Sequence, residues 1–110
     1  MPPAASKDRL PISVVVPTLN VMPMLPAHVA GMRDWLDLVE EVVVVDSEST
    51  DGTREYLEQH IDQGQLRFFS RPRGLYQAWN YGIDQVRAPY TYISTVGDTI
   101  SREGLQHLHA

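Results

Sequence analysis

VVVVDSESTDG, residues 42 to 52, sets four β-branched residues in a row against a cluster of acids and hydroxyls. Val42 to Val45 show no polar alternation, the pattern of a strand covered on both faces. Asp46 then stands at the carboxyl end of that strand, the edge at which open α/β sheets take their ligands. The hydroxyl and acidic residues that follow suit a helix N-terminus. A strand-end carboxylate leading straight into a helix start points to the class of fold and to the place where a ligand would sit.

The flanking sequence extends this pattern in both directions. ISVVVPTLN holds a first strand, Ile12 to Val16, which Pro17 is expected to stop because it lacks a ladder donor. In MLPAHVAGMRDWLDLVEE, Leu25, Val29, Met32, Leu36 and Val39 recur at spacings of three and four, which predicts one amphipathic helix with Pro26 in its first turn. STDGTREYLEQHID predicts a second helix with Tyr56, Leu57 and Ile61 facing inward and Asp51 complementing its positive end. QLRFFS reads as a third strand and YTYIST as a fourth. Between them, GLYQAWNYGIDQVRA is a third helix with Leu75, Ala78, Trp79, Gly82, Ile83 and Val86 on one side, and SREGLQHLHA opens a last one. Strands alternating with helices imply parallel βαβ units with right-handed crossovers. The expected class is therefore α/β, Rossmann-like, with about four parallel strands flanked by helices, half of a full doubly wound sheet. Residues 1–11 read as a flexible arm and residues 12–110 as one domain.

The bulk numbers narrow the function. The chain has 110 residues, enough for one small domain, and 43% apolar residues, enough for a core. A net charge of −5 lacks the basic footprint of a nucleic-acid binder. The absence of cysteine excludes disulfides and thiolate chemistry and fits a reducing compartment. No apolar run approaches the roughly 20 residues of a membrane span, and the first residues lack the apolar stretch of a secretory leader. The cytoplasm, or the inner face of its membrane, is the expected location. His28, His60, His107 and His109 show no metal-ligand spacing and are expected at the surface.

The turn after the first strand reads PTLNVMPML, without the glycines of a dinucleotide fingerprint, and no Walker P-loop occurs. Four stretches instead resemble the N-terminal half of the family 2 glycosyltransferases, which have a GT-A fold: ISVVVPTLN, VVVVDSESTDGT, RGLYQAWNYGI and PYTYISTVGDTISREGLQHL. The third is similar to the Gly-Ile-Tyr-Asp-Ala-Met-Asn-Lys-Gly-Ile helix of one branch, and together they cover nearly all of residues 12–108. The resemblance implies binding of a nucleoside-diphosphate sugar, with an inverting transfer to a glycan or lipid-linked acceptor. Pro17 and Thr18 would lie beside the nucleobase, and Asn20 and Ser47 would belong to the same site. Asp46 would accept a hydrogen bond from the base; an acceptor-only carboxylate suits the N–H of uracil, thymine or guanine. Gly74 would let the backbone pass close to the nucleotide.

Two departures qualify that picture. Where the family carries an Asp-x-Asp signature for Mg²⁺ or Mn²⁺, this chain reads Thr95-Val96-Gly97-Asp98. Asp98 is the sole surviving carboxylate, left to hold a divalent ion through waters or to touch the ribose, while such ions favour several charged oxygens. The family's catalytic base belongs to the half that would follow residue 110, so no residue here takes that role. A sheet edge that this half would cover predicts self-association. Plainer readings stand beside these. Asp46 serves as a solvated loop acid or capping partner, Ser49, Thr50 and Asp51 serve as caps, and Arg71 and Arg73 either meet diphosphate charge or stay solvated. A receiver-like signalling domain would want an acid after the third strand, where Ser70 and Arg71 stand. A non-catalytic relic that keeps the fold is the remaining alternative.

Overall fold

The computed structural model describes residues 9–62, 64–72, 75–97 and 100–109. Gly74 and Asp98, two of the expected site residues, lie outside the described residues. The elements are β1 (Leu10–Thr18), α1 (Leu25–Met32), β2 (Val39–Asp46), α2 (Thr53–His60), β3 (Leu66–Ser70), α3 (Leu75–Gln85), β4 (Tyr90–Ile93) and α4 (Arg102–His109), with a short 3₁₀ turn at Leu36–Leu38. Four strands form one parallel sheet in the order β3-β2-β1-β4.

The valine runs occupy the two central strands and are buried on both sides. Val14 and Val16 of β1 and Val42 and Val44 of β2 pack in one core with Leu25, Val29, Leu57 and Leu105 from α1, α2 and α4. Val15, Val43 and Val45 pack on the opposite face with Tyr81 of α3, Val86 and Ile93. All seven valines are at most 1% exposed. Period-two geometry sends successive side chains to opposite faces, so only an unbroken apolar run satisfies both layers.

Four expectations fail. β1 starts at Leu10, inside the segment read as an arm, and continues through Pro17, which stays in register with Val45. Val15 directs its carbonyl toward β4, accepting from Ser94 N at 2.8 Å. Two residues on, the nitrogen of Pro17 points the same way. The next rung would need a donor on that nitrogen, so the pairing with β4 stops at Ile93, while β1 goes on pairing with β2 through Thr18. The long first helix stops at Met32. The backbone at Trp35 leaves helical geometry (φ −137°), and Val39 joins the sheet opposite Leu10. The three-and-four spacing persisted because the turn packs Leu36 against the core and delivers Val39 into it. Ile83 is exposed, and Tyr81 turns inward in its place, edge-on to Phe69 with ring centroids 5.4 Å apart. Both flank Gly82, where α3 lies close against the sheet. A Cβ at Gly82 would lie 2.5 Å from a Val15 methyl and 3.2 Å from one of Val45.

The amino-terminal edge of the sheet holds a buried acid that the sequence pattern concealed inside the expected helix. Glu41, 6% exposed, accepts from Ser13 Oγ at 2.7 Å, Arg67 at 2.9 Å and the Arg87 amide at 2.7 Å. Ser13 Oγ in turn accepts from Ala88 N, and Arg67 reaches the Gln85 carbonyl. Burial works to raise the pKa of Glu41, but the bonds from Ser13, Arg67 and Arg87 outweigh it and hold the carboxyl below its ordinary range. The cluster ties three strands to the end of α3. A hollow of about 210 Å³ beside it, lined by Glu40, Gln65, Arg67 and Arg87 among others, is at the edge opposite the strand ends that carry the site.

Candidate functional site

All four strands point their carboxyl ends to one edge. The chain steps from β1 outward through β2 to β3, then returns to place β4 on the other side of β1. The reversal between β1 and β4 is the switch point beside which open α/β sheets form a binding crevice.

Thr18 and Asp46 end β1 and β2 in register. Thr18 Oγ1 donates to Asp46 Oδ1 at 2.6 Å, Ser49 Oγ donates to the same oxygen, and Ser49 N donates to Oδ2 at 2.8 Å. Asp46 is 3% exposed. It is therefore not the solvated acid of the plainer reading but the organiser of the loop that follows it. A carboxylate has about four acceptor sites, and donors among the described residues fill three of them. Ser47 is buried beside it, its amide donating to the Thr18 carbonyl at 2.9 Å. Folding Ser49 back onto Asp46 puts Glu48 at φ +62°, a left-handed conformation sustained by those bonds.

The loops after β1 and β2 are stitched together. Asn20, at φ +50°, donates its amide to Ser49 Oγ at 2.8 Å and accepts Thr50 N on Oδ1 at 2.8 Å. Asp51 accepts Met22 N on one oxygen and both Thr53 N and Thr53 Oγ1 on the other. Its carboxyl lies below the usual range, chiefly because of the Thr53 hydroxyl, with the Met22 and Thr53 amides adding to the effect. Asp51 thus meets the amide of Thr53, the first residue of α2, from one residue before the N-cap Gly52. Ser49 and Thr50 instead bridge to the neighbouring loop, a pairing across 29 and 30 residues that local pattern does not show. Pro17, Thr18, Asn20, Asp46 and Ser47 are brought to this one edge. Arg71 joins them at the end of β3: its amide donates to the Asp46 carbonyl at 2.8 Å, and its exposed guanidinium lies 4.7 Å from the Tyr81 ring centroid.

On the other side of β1, the chain leaving β4 runs through Ser94, Thr95, Val96 and Gly97. His28 of α1, expected at the surface, is 3% exposed and lies against this segment. Its Nε2 is 3.0 Å from Ser94 Oγ, and its Nδ1 accepts Gly97 N at 3.4 Å. An isolated histidine among apolar helix positions carried no signal of this contact, because the partner is 66 to 69 residues away.

The described residues make a poor nest for a divalent ion. Among them, no three His, Asp or Glu side chains stand close enough to share one. Thr95 and Gly97 occupy places where the resemblance leads one to expect acids, and neither supplies the charged oxygen that Mg²⁺ or Mn²⁺ favours. Also among the described residues, no helix is long and apolar enough to cross a membrane.

Comparison with known proteins gives this edge a context. The chain is 31% identical over 86 residues to the lipopolysaccharide core biosynthesis glycosyltransferase LpsC of Rhizobium meliloti, a match covering 76% of this chain and 30% of that protein. Its fold superposes on S. aureus TarS in complex with UDP with a TM-score of 0.77 at 25% identity, covering 88% of this chain and 30% of the other. The mannosyltransferase PcManGT of Pyrobaculum calidifontis, in complex with GDP-Man and Mn²⁺, gives a TM-score of 0.70 at 29% identity, with the same coverage. The chain thus spans about 30% of the length of these relatives, and its four-stranded parallel sheet with flanking helices corresponds to part of a GT-A structure. Residues 13–108 match glycosyl transferase family 2. With that match running from the Ser13 anchor of β1 through the last helix, the chain belongs to glycosyl transferase family 2.

Proposed function

We propose that this chain is the donor-binding portion of an inverting glycosyltransferase, holding a nucleoside-diphosphate sugar at the carboxyl edge of β1, β2 and β4. The observation that carries the reading is the buried Thr18–Asp46 pair beside the sheet's switch point, with donors among the described residues filling three acceptor positions of Asp46 and the carboxylate's capacity extending to a fourth position. That position suits an imide or amide N–H of uracil, thymine or guanine. The bases held by two structural relatives, in UDP and in GDP-Man, fall in the same chemical set. Pro17, Asn20 and Ser47 form the wall around that pair, and Gly74 and Asp98 complete the donor side by their place in the sequence. The reaction is a single displacement at the anomeric carbon by an acceptor hydroxyl. This chain's residues bind and orient the donor, and the base that takes the acceptor's proton is not among those assigned here. With Asp98 the one carboxylate of the signature segment, little of the donor's charge is met by a metal site, and Arg71 stands at the rim as a further cation. Calorimetric titration with UDP, TDP and GDP is the direct test. Binding of one of them with millimolar or tighter affinity supports the reading, and no binding of any would favour a relic that keeps the fold alone.

A further inference from the structure

We propose that His28 is a positioning residue for the donor crevice, pinning the segment Ser94–Gly97 at the mouth between β1 and β4. The idea rests on the donor-binding reading above. His28 shares the inner side of α1 with Leu25, Val29 and Met32. An apolar side chain would fill that volume without the cost of burying a polar ring. The imidazole instead directs both nitrogens at the segment that leaves β4. Gly97 N can only donate, so Nδ1 carries the lone pair, and a neutral ring then bears its proton on Nε2 and donates it to Ser94 Oγ. One rigid ring therefore fixes two points three residues apart. Ser94 N is held by the Val15 carbonyl and the Val96 side chain is in the core, so His28 supplies the hold on the third point, Gly97.

Gly97 needs that hold. Its φ of +107° is a conformation that glycine visits among many others, so the backbone alone does not select it. The segment lies on the side of β1 away from Asp46. A donor whose base lies near Asp46 would extend its diphosphate toward this side. Freeing Gly97 should therefore leave the base wall of the crevice intact while reducing the fraction of molecules with the other wall in place. If that fraction falls to about one in ten, the apparent Kd rises about tenfold.

The test follows the Gly97 amide by NMR hydrogen exchange and titrates UDP, TDP and GDP calorimetrically. It compares the unaltered chain with His28→Ala and His28→Asn. Asparagine places an acceptor near the position of Nδ1 and should rescue the contact with Gly97. The Val43 amide, deep in the sheet, reports global opening and separates loop release from general loss of stability. The expected result is faster exchange at Gly97 relative to Val43 in His28→Ala, an approximately tenfold weaker Kd, and recovery of both in His28→Asn. Continued protection of Gly97 in His28→Ala overturns the proposal, and so does release of Gly97 with an unchanged Kd. If the unaltered chain binds none of the three nucleotides, the donor-binding reading is what fails. The exchange data then decide His28 by themselves: release and rescue uphold the tether, and unchanged exchange removes it.

Discussion

Replacing Asp46 by alanine should damage the loop before any ligand is considered. The substitution strips partners from three donors: the Thr18 hydroxyl, the Ser49 hydroxyl and the Ser49 amide. The two hydroxyls can rotate toward water or other acceptors. The amide is fixed by the chain, and leaving it unmet costs about 1–3 kcal/mol. Bonds to a charged acceptor contribute about 1.5–3 kcal/mol each, but the three share one group and do not add. A loss of about 2–4 kcal/mol is the result, a large part of the roughly 5–15 kcal/mol available to a domain of this kind. Urea unfolding followed by circular dichroism reads it as a midpoint lowered by about 1–2 M, for a slope near 2 kcal/mol/M. Thr18→Val, which removes one donor and leaves the carboxylate in place, should lose about half as much. If Asp46→Ala unfolds within about 0.5 kcal/mol of the unaltered chain, the three bonds are not made in solution and the loop is organised otherwise. Comparing the two variants also separates functions. Thr18→Val keeps the acceptor for the base, so its nucleotide affinity should exceed that of Asp46→Ala.

Gly82→Ala should cost about 1–3 kcal/mol through overpacking, because its Cβ would meet the Val15 methyl at 2.5 Å; an unchanged urea midpoint would mean that α3 does not approach the sheet this closely. For Glu41 the sign follows from its lowered folded-state pKa. Its stabilisation is complete above the unfolded value of about 4.3 and is lost as the pH falls through the lower folded value. Glu41→Gln should therefore flatten the acid limb of the stability profile, and a limb identical to that of the unaltered chain would show the cluster to be absent. Adding Mn²⁺ should change nucleotide affinity less than in a relative with the full acidic signature; a large gain abolished by Asp98→Asn would show that one carboxylate suffices.

What could be read from the sequence was whatever the chain states locally. Four consecutive valines admit one environment, a strand with cover on both faces, and the acid at its end could only emerge at the sheet's carboxyl edge. The errors arose where the outcome depends on a distant partner. Pro17 stays in its strand because its nitrogen faces away from β2, the strand with which it pairs. Leu36 and Val39 keep helical spacing, yet Val39 belongs to the sheet because Leu10 pairs with it. Glu41 looked like a polar helix residue until Ser13, Arg67 and Arg87 converged on it from three parts of the chain. Asn20 was expected as a ligand contact, and its bonds to Ser49 and Thr50 give it a further part in stitching the two loops together.

The Glu41 cluster also bears on the order in which the chain assembles. Its contacts with Ser13 and Arg67 close separations of 28 and 26 residues, whereas the Arg87 amide is 46 residues away and the Ala88–Ser13 bond spans 75. Longer closures cost more chain entropy and delay the contacts that depend on them. β1, β2 and β3 should therefore pair while Glu41 still lacks an amide donor, and β4 should dock against a carboxylate that is already buried on one side. The late strand is also the one that forms the far wall of the crevice proposed for the donor. Mutations at Ala88 and Tyr90 should then speed unfolding with little effect on the folding rate, while those at Val14 and Val43 should slow folding. The reverse pattern in stopped-flow kinetics would place β4 in the nucleus. In this order of events the carboxyl edge between β1 and β4 is the last part of the molecule to come into being and the first to come apart.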